Sequence, residues 1–232
     1  MPGGLELTRP VIVLAGGRSS RMGEPKGLVD VRGRAWILRQ LETFAACGGS
    51  RAIVVLGHRA SEYFAALEWL AAARDAGESG SSLAGLRVAV VVNGEPELGT
   101  FSSVQCGARA ALASGDDAGA FVLPVDVPCA ARAVWQALDV ACTGDVLASV
   151  PVYTARSGPG TAAPLRGGHP VACARELLAS LATLDPALEG SRLDVQLRAA
   201  SVAPRVVRVA TDDARVVANL NTPDDWAGIR GP

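Results

Sequence analysis

The stretch Pro10-Val11-Ile12-Val13-Leu14-Ala15-Gly16-Gly17-Arg18-Ser19-Ser20-Arg21-Met22-Gly23-Glu24-Pro25-Lys26 decides the fold. Its first six residues are a short continuous apolar run, the pattern of a strand buried on both faces, and Gly16-Gly17 open it into a loop. Strand-like runs recur at residues 52–56, 87–92, 120–125, 146–152 and 205–209. Helical patterning predicts helices over 35–46, 61–73, 103–113, 131–141, 172–184 and 191–200. In the first of these Ile37, Leu38, Leu41 and Phe44 fall on one face. This alternation predicts an α/β fold, a Rossmann-like and mainly parallel sheet covered by helices on both faces. Residues 216–225 read as a strand running into a helix initiated by Pro223. The Gly/Ser-rich residues 77–85 read as a flexible surface loop, and the longer segment 154–168 as a loop placed to be functional.

The 232 residues fit one domain with a sizeable core, and 49% of them are hydrophobic with few aromatics. A net charge of -1 gives no footprint for nucleic acid or a membrane surface. A small anionic substrate meeting a locally basic cleft remains compatible with it. The start Met1-Pro2-Gly3-Gly4-Leu5-Glu6 lacks signal-peptide character, and no apolar run is long enough to span a bilayer. A cytoplasmic, soluble protein is expected. Five cysteines, none spaced as CxxC, indicate neither a disulfide framework nor a zinc site, so they are expected to be small buried hydrophobes.

Lys26 is the only lysine among twenty-two basic residues. A chain that otherwise uses arginine has kept one compact ammonium, the usual choice for reaching into a phosphate cluster. In open sheets, ligands bind beyond the carboxyl ends of the strands, which here gathers residues 16–26, Asp126-Val127-Pro128 and Asn219-Leu220-Asn221. The first segment is neither a P-loop nor a dinucleotide fingerprint. Pro25 and an extended 28–31 argue against a helix starting there. The backbone N–H groups of Gly16 and Gly17, an Arg21 fork and the Lys26 ammonium nonetheless suit a triphosphate. Asp126, at a strand end beside this cradle, reads as a Mg²⁺ ligand or as a helix cap. Asn221 reads either as a carbonyl ligand to the same ion or as a cap before Thr222-Pro223.

Leu14-Ala15-Gly16-Gly17-Arg18-Ser19-Ser20-Arg21-Met22-Gly23-x-x-Lys26 resembles the signature of the molybdenum cofactor nucleotidyltransferases, within the wider nucleotidyltransferases of glycosyltransferase-A-like fold. Leu123-Pro124-Val125-Asp126-Val127-Pro128 is similar to that family's metal-binding Asp-x-Pro, and Asn219-Leu220-Asn221-Thr222-Pro223-Asp224-Asp225 to its closing motif, so the resemblance covers nearly the whole chain. It implies nucleotide contacts from Leu14, Ala15, Gly16 and Gly17, phosphate contacts from Arg21 and Lys26, and Mg²⁺ ligation by Asp126 and Asn221. Lys26, Arg21 and Asp126 would be the catalytic groups. Asn93, Gly99, Ser102 and Ser103 resemble a stretch of the cytidylyl-transferring branch. Gly168-His169-Pro170 does so too, which would set His169 against the pterin substrate; its other reading is a helix-entry residue held by Pro170. Ala15-Gly16-Gly17 is closer to the guanylyl branch, and a residue without Cβ at position 16 would leave room for a purine. The reaction implied is transfer of CMP from CTP to the terminal phosphate of molybdopterin cofactor, with release of pyrophosphate. Alternatives are GTP on the same acceptor, a sugar or alcohol phosphate as acceptor, or a nucleotide-binding regulatory or chaperone protein. A molybdoenzyme or cofactor-insertion protein would be a transient partner.

Overall fold

The computed structural model describes residues 6–20, 22–115, 117–154, 166–188, 190–201 and 204–230. Strand β1 (Val11–Ala15) is buried throughout. Its alternate residues face opposite ways: Val11, Val13 and Ala15 enter one hydrophobic core, and Ile12 and Leu14 the other. A strand apolar at every position is what a sheet covered on both faces demands.

After β1 come helix α1 (Trp36–Ala46), β2 (Arg51–Leu56), α2 (Ala60–Ala66), α3 (Glu68–Asp75), β3 (Ser81–Leu83) and β4 (Leu86–Val92). Then follow α4 (Thr100–Ala113), β5 (Ala120–Pro124), α5 (Arg132–Ala141), β6 (Ala148–Tyr153), β7 (Arg166–Gly167) and β8 (Val171–Cys173). The chain continues through α6 (Arg175–Thr183), α7 (Leu193–Ala200), β9 (Val206–Thr211) and α8 (Pro223–Arg230). These strands form one nine-stranded sheet. β4, β2, β1 and β5 run parallel at its centre, and β6 and β9 form a second parallel pair. β8 runs against both β5 and β6 and joins the two parallel sets. α1 and α5 pack on one face, α4 and α6 on the other. The first face is keyed by an aromatic cluster in which Trp135 meets Phe44 and Phe121 edge-on, with centroids 4.8 and 5.0 Å away.

Several local expectations fail for physical reasons. Residues 77–85 are not a bare loop: Gly77–Ser79 is a 3-10 turn, and Ser81–Leu83 extends the sheet by pairing antiparallel with β4. The helix expected over 61–73 is two helices, broken at Leu67, whose backbone is extended (φ -131°, ψ 92°). The helix expected from 172 begins at Arg175, because Val171–Cys173 is the linking strand β8. Residues 214–217 form a 3-10 turn rather than a strand. After Pro25 the chain makes only a three-residue 3-10 turn at Lys26–Leu28, and the first α-helix starts at Trp36, as the sequence reading expects. Of the segment 154–168, residues 155–165 lie outside the described residues. Four of the five cysteines are buried and all are free thiols, as small core residues would be.

Candidate active site

The parallel strands end together, and their exit loops build the site. Beyond β1, Gly16 lies so close to its neighbours that a Cβ there would sit 2.8 Å from Ser103 Oγ and 3.4 Å from Gly57 N. The missing side chain therefore admits protein and not a purine, contrary to the sequence reading. Ser19, in the left-handed region at φ 51°, turns the loop back, and its Oγ accepts from Lys26 N at 3.1 Å. The 3-10 turn that follows is pinned where Gly27 N donates to the Tyr63 hydroxyl at 3.0 Å. Lys26 is thereby aimed inward. Its Nζ donates to Asp126 Oδ2 and to Asn221 Oδ1, at 2.7 Å in each case. Lys26 thus meets Asp126 and Asn221, which lie 100 and 195 residues away from it in sequence, at one point.

Asp126 is held on every side. Val125 N donates to Leu14 O at 3.0 Å, and Val125 O accepts from Trp36 Nε1 at 2.7 Å. Gln40, buried in α1, donates from Nε2 to Val127 O at 2.5 Å and accepts Cys129 N at 2.7 Å, spanning Pro128. Asp126 O accepts Leu220 N at 2.9 Å, which ties the Asp126 loop to the Asn221 loop. Asn221 N and Thr222 N donate to Asp225 Oδ2 at 2.9 and 2.8 Å. Together with the Thr222 hydroxyl, these donors hold the Asp225 carboxyl below its ordinary range. Thr222 caps α8, its hydroxyl accepting Asp225 N at 3.4 Å while the Asp225 carboxylate reaches back to it, and neither Asp126 nor Asn221 serves as the cap. Trp226, fully buried beside Asp225, meets the Trp36 ring edge-on at 5.2 Å, so α1 braces both loops. Sequence reading missed Trp36 and Gln40. The available signal was a glutamine on the apolar stripe of α1, where a buried amide must find partners.

A cavity of about 440 Å³ opens over this corner, lined by Leu14, Ala15, Gly16, Gly17, Lys26, Gly99, Ser103, Asp126 and Asn221. Arg18, Ser19 and His58 line it as well, unanticipated. Arg18 Nε donates to His58 Nε2 at 3.2 Å. One residue, Gly57, separates His58 from the end of β2, and its place at the end of a parallel strand was the readable signal. Asn93 is buried beneath the cavity: Nδ2 donates to Ser102 Oγ at 2.8 Å and Ser103 Oγ at 3.1 Å, and Oδ1 accepts Glu95 N at 3.0 Å. Its amide fixes the two serines at the start of α4. Ser102 Oγ lies 2.8 Å from Gly99 O, which faces it across the first turn, and Gly99 itself takes φ 91°. Arg21 lies outside the described residues.

A second cavity of about 990 Å³ adjoins the first, sharing Leu14, Gly99, Thr100 and Pro124 as a common rim. His169 lines this one, not the first, and leads into β8 rather than into a helix. Burial pushes its imidazole below the ordinary value, against a hydrogen bond to the Val122 backbone, so the ring is neutral near pH 7. Nδ1 is buried without a partner among the described residues.

The residues present fit a hard divalent cation. Asp126 Oδ2 and Asn221 Oδ1 already converge on one positive charge, the Lys26 ammonium, and oxygen donors of this kind suit Mg²⁺ or Mn²⁺ when phosphates and water complete the shell. Among the described residues no group of three histidine, cysteine or acidic side chains offers a closed metal cage.

Residues 11–206 match the model of the MobA-like NTP transferase domain. The chain belongs to that family. That family's domain is one of NTP transferases, which act on a nucleoside triphosphate. A nucleotidyl transferase from Methanothermobacter thermautotroptrophicus (Mth528) is similar in structure, with a TM-score of 0.64 and 26% identity, covering 95% of both chains. Rv0371c from Mycobacterium tuberculosis H37Rv has the same fold, with a TM-score of 0.64 at 23% identity over 94% of this chain and 96% of that one. A structure of that protein in complex with manganese matches with a TM-score of 0.57 and 23% identity, covering 94% of this chain and 95% of that one. Among curated proteins, the bifunctional protein GlmU of Polaromonas sp. is 34% identical over 140 residues, 60% of this chain. The chain spans 27% of that relative's length. No helix among the described residues is long and apolar enough to cross a membrane.

Proposed function

We propose that the chain, working as one domain, transfers CMP from CTP to the terminal phosphate of molybdopterin cofactor and releases pyrophosphate. The observation that carries this reading is the meeting of Lys26, Asp126 and Asn221 where a triphosphate cavity opens into a larger, mostly apolar one. A Mg²⁺ ion held by Asp126 and Asn221 would supply Lewis-acid neutralisation of the triphosphate. The Gly16 and Gly17 backbone and the Arg21 fork bind phosphate oxygens. Lys26 offsets charge on the α-phosphate and on the departing pyrophosphate, an electrostatic contribution that needs no reorganisation in a preformed site. No general base is required, because a phosphomonoester nucleophile is already largely ionised at neutral pH. Neutral His169, on the wall of the larger cavity, would contact the acceptor. A molybdoenzyme or cofactor-insertion protein would receive the product.

The similarity to GlmU favours a second reading, a sugar phosphate as acceptor. Val122, Val150, Val152, Val171 and Val206 give the larger cavity an apolar wall, which favours an acceptor with a flat, apolar body. Pyrophosphate release measured with CTP and GTP, each against molybdopterin cofactor and glucosamine 1-phosphate, tests both choices. The highest kcat/KM is expected for CTP with molybdopterin cofactor. Faster turnover with GTP overturns the nucleotide assignment, and turnover confined to the sugar phosphate overturns the acceptor.

A further inference from the structure

The larger cavity combines an apolar body with an excess of positive charge. Val122, Val150, Val171 and Val206 contribute to its lining from four different strands. α7 forms another wall through Leu193 and Leu197 without fully burying any of its residues. The charged residues lining the cavity, among those described, are Arg192, Arg198 and Arg208 against the single carboxylate of Asp194. That carboxylate is divided: Arg192 Nε donates to Oδ1 at 3.1 Å, while Arg198 Nη2 takes Oδ2. Burial opposes ionisation of Asp194, but the two guanidinium groups outweigh it and hold the carboxyl below its usual range. Arg208, paired in register with Val150 on the strand β9, makes no ion pair among the described residues. Each guanidinium presents five donors, so one shared carboxylate leaves most of them to solvent or ligand.

We propose that Arg198 and Arg208 form an anion-binding subsite in this cavity, for a charged group that the acceptor carries in addition to its reacting phosphate. The inference rests on the reading above that this cavity receives the acceptor. The reacting phosphate must sit at the rim shared with the triphosphate cavity, and none of the three arginines belongs to that rim. They face whatever lies farther from the transfer point. An arginine fork suits planar, bidentate recognition of an oxyanion and also stacks on aromatic faces. The acceptor class is therefore an apolar-bodied molecule with at least two anionic groups, as opposed to a neutral sugar bearing one phosphate.

Two fluorescent probes of similar shape isolate the charge. 8-Anilinonaphthalene-1-sulfonate carries one anionic group, whereas N-phenyl-1-naphthylamine carries none. Both are titrated into the wild type and into the Arg198→Gln/Arg208→Gln protein, whose changes lie on exposed side chains and leave the core untouched. The sulfonate should bind about tenfold more weakly to the variant, the scale of losing charge-assisted hydrogen bonds, while the neutral probe binds as before. Equal loss for both probes, or no loss for either, overturns the subsite. CTP binding followed on the same proteins separates the two claims. Its absence in the wild type would sink the nucleotidyl-transfer reading, and the ratio of the two probe affinities would still decide the subsite.

Discussion

The two cavities that meet at Leu14, Gly99, Thr100 and Pro124 are built in opposite ways. The corner around Asp126 is over-determined: Trp36, Gln40, Leu14 and Leu220 each hold a different backbone group of residues 125–129, and Trp226 links the same helix to the Asn221 loop. The larger cavity has α7, with no fully buried residue, and arginines anchored to one another through a single exposed carboxylate. Positional precision is concentrated where charge must be stabilised to within a fraction of an ångström. The looser wall lines the cavity proposed to take the acceptor. Rigid support near the chemistry and adaptable surface near the proposed acceptor follow from what each part has to do.

The largest effect that would sharpen this contrast comes from Lys26. Lys26→Ala removes the only lysine and should lower kcat by on the order of a hundredfold or more, comparable to losing one preorganised transition-state contact, with the melting temperature nearly unchanged. Lys26→Arg should rescue poorly, because a planar fork does not replace a point donor that reaches two oxygens at 2.7 Å. Steady-state pyrophosphate release checks both, and alanine activity close to wild type would break the contrast outright.

Next in size is Gln40. Gln40→Leu keeps the volume of the side chain but strands Val127 O and Cys129 N, and should raise the metal concentration for half-maximal activity by about tenfold, as expected when the support of a ligand is lost. A purely structural role would lower the melting temperature and leave the metal titration alone. The two readouts therefore separate positioning from stability.

Gly16→Ala should have a smaller effect. The added methyl presses on Ser103 Oγ, 2.8 Å away, and thereby disturbs the serine that Asn93 fixes. Both CTP and GTP turnover should fall by a similar factor, of severalfold. A selective loss of GTP would show instead that position 16 faces the base.

The smallest effect belongs to the looser side, at His169. Its folded-state pKa lies below the ordinary 6.5, so below about pH 6.5 the unfolded chain takes up a proton that the folded chain refuses. Stability contributed by the neutral ring is present above that pH and is lost as pH falls toward the folded-state value. His169→Phe should flatten the dependence of the melting temperature on pH between about 6.5 and 5, above the range where Asp225 and Asp194 titrate. An unchanged slope would show that the ring is not held neutral.

Sequence reading gathered the candidate site residues better than it traced the local structure. The apolar runs of β1, β2, β4 and β5 have the same period on the page as in the sheet, and the rule that ligands sit beyond strand ends brought residues 16–26, Asp126 and Asn221 together correctly. β8 was illegible because three residues ahead of a helical pattern carry no periodicity of their own, and it exists only through pairing with β5 and β6. β3 was hidden for the same reason within a Gly/Ser-rich run. Gly16 was misjudged because sequence does not say which way an absent Cβ would point. Trp36, Gln40 and His58 depend on contacts between segments distant in sequence, so a polar residue on an apolar stripe or at a strand end marks Gln40 and His58 without showing what they touch.

The central claim is that Asp126 and Asn221 hold a divalent ion together with a nucleoside triphosphate. Electron paramagnetic resonance of free Mn²⁺, titrated with protein in the presence and absence of CTP, tests it without relying on turnover. The wild type should bind Mn²⁺ tightly only when CTP is present, and Asp126→Asn, replacing a charged hard oxygen with a neutral one, should lose most of that CTP-dependent binding while keeping its fold. Equal CTP-dependent Mn²⁺ binding by the wild type and Asp126→Asn would contradict the account.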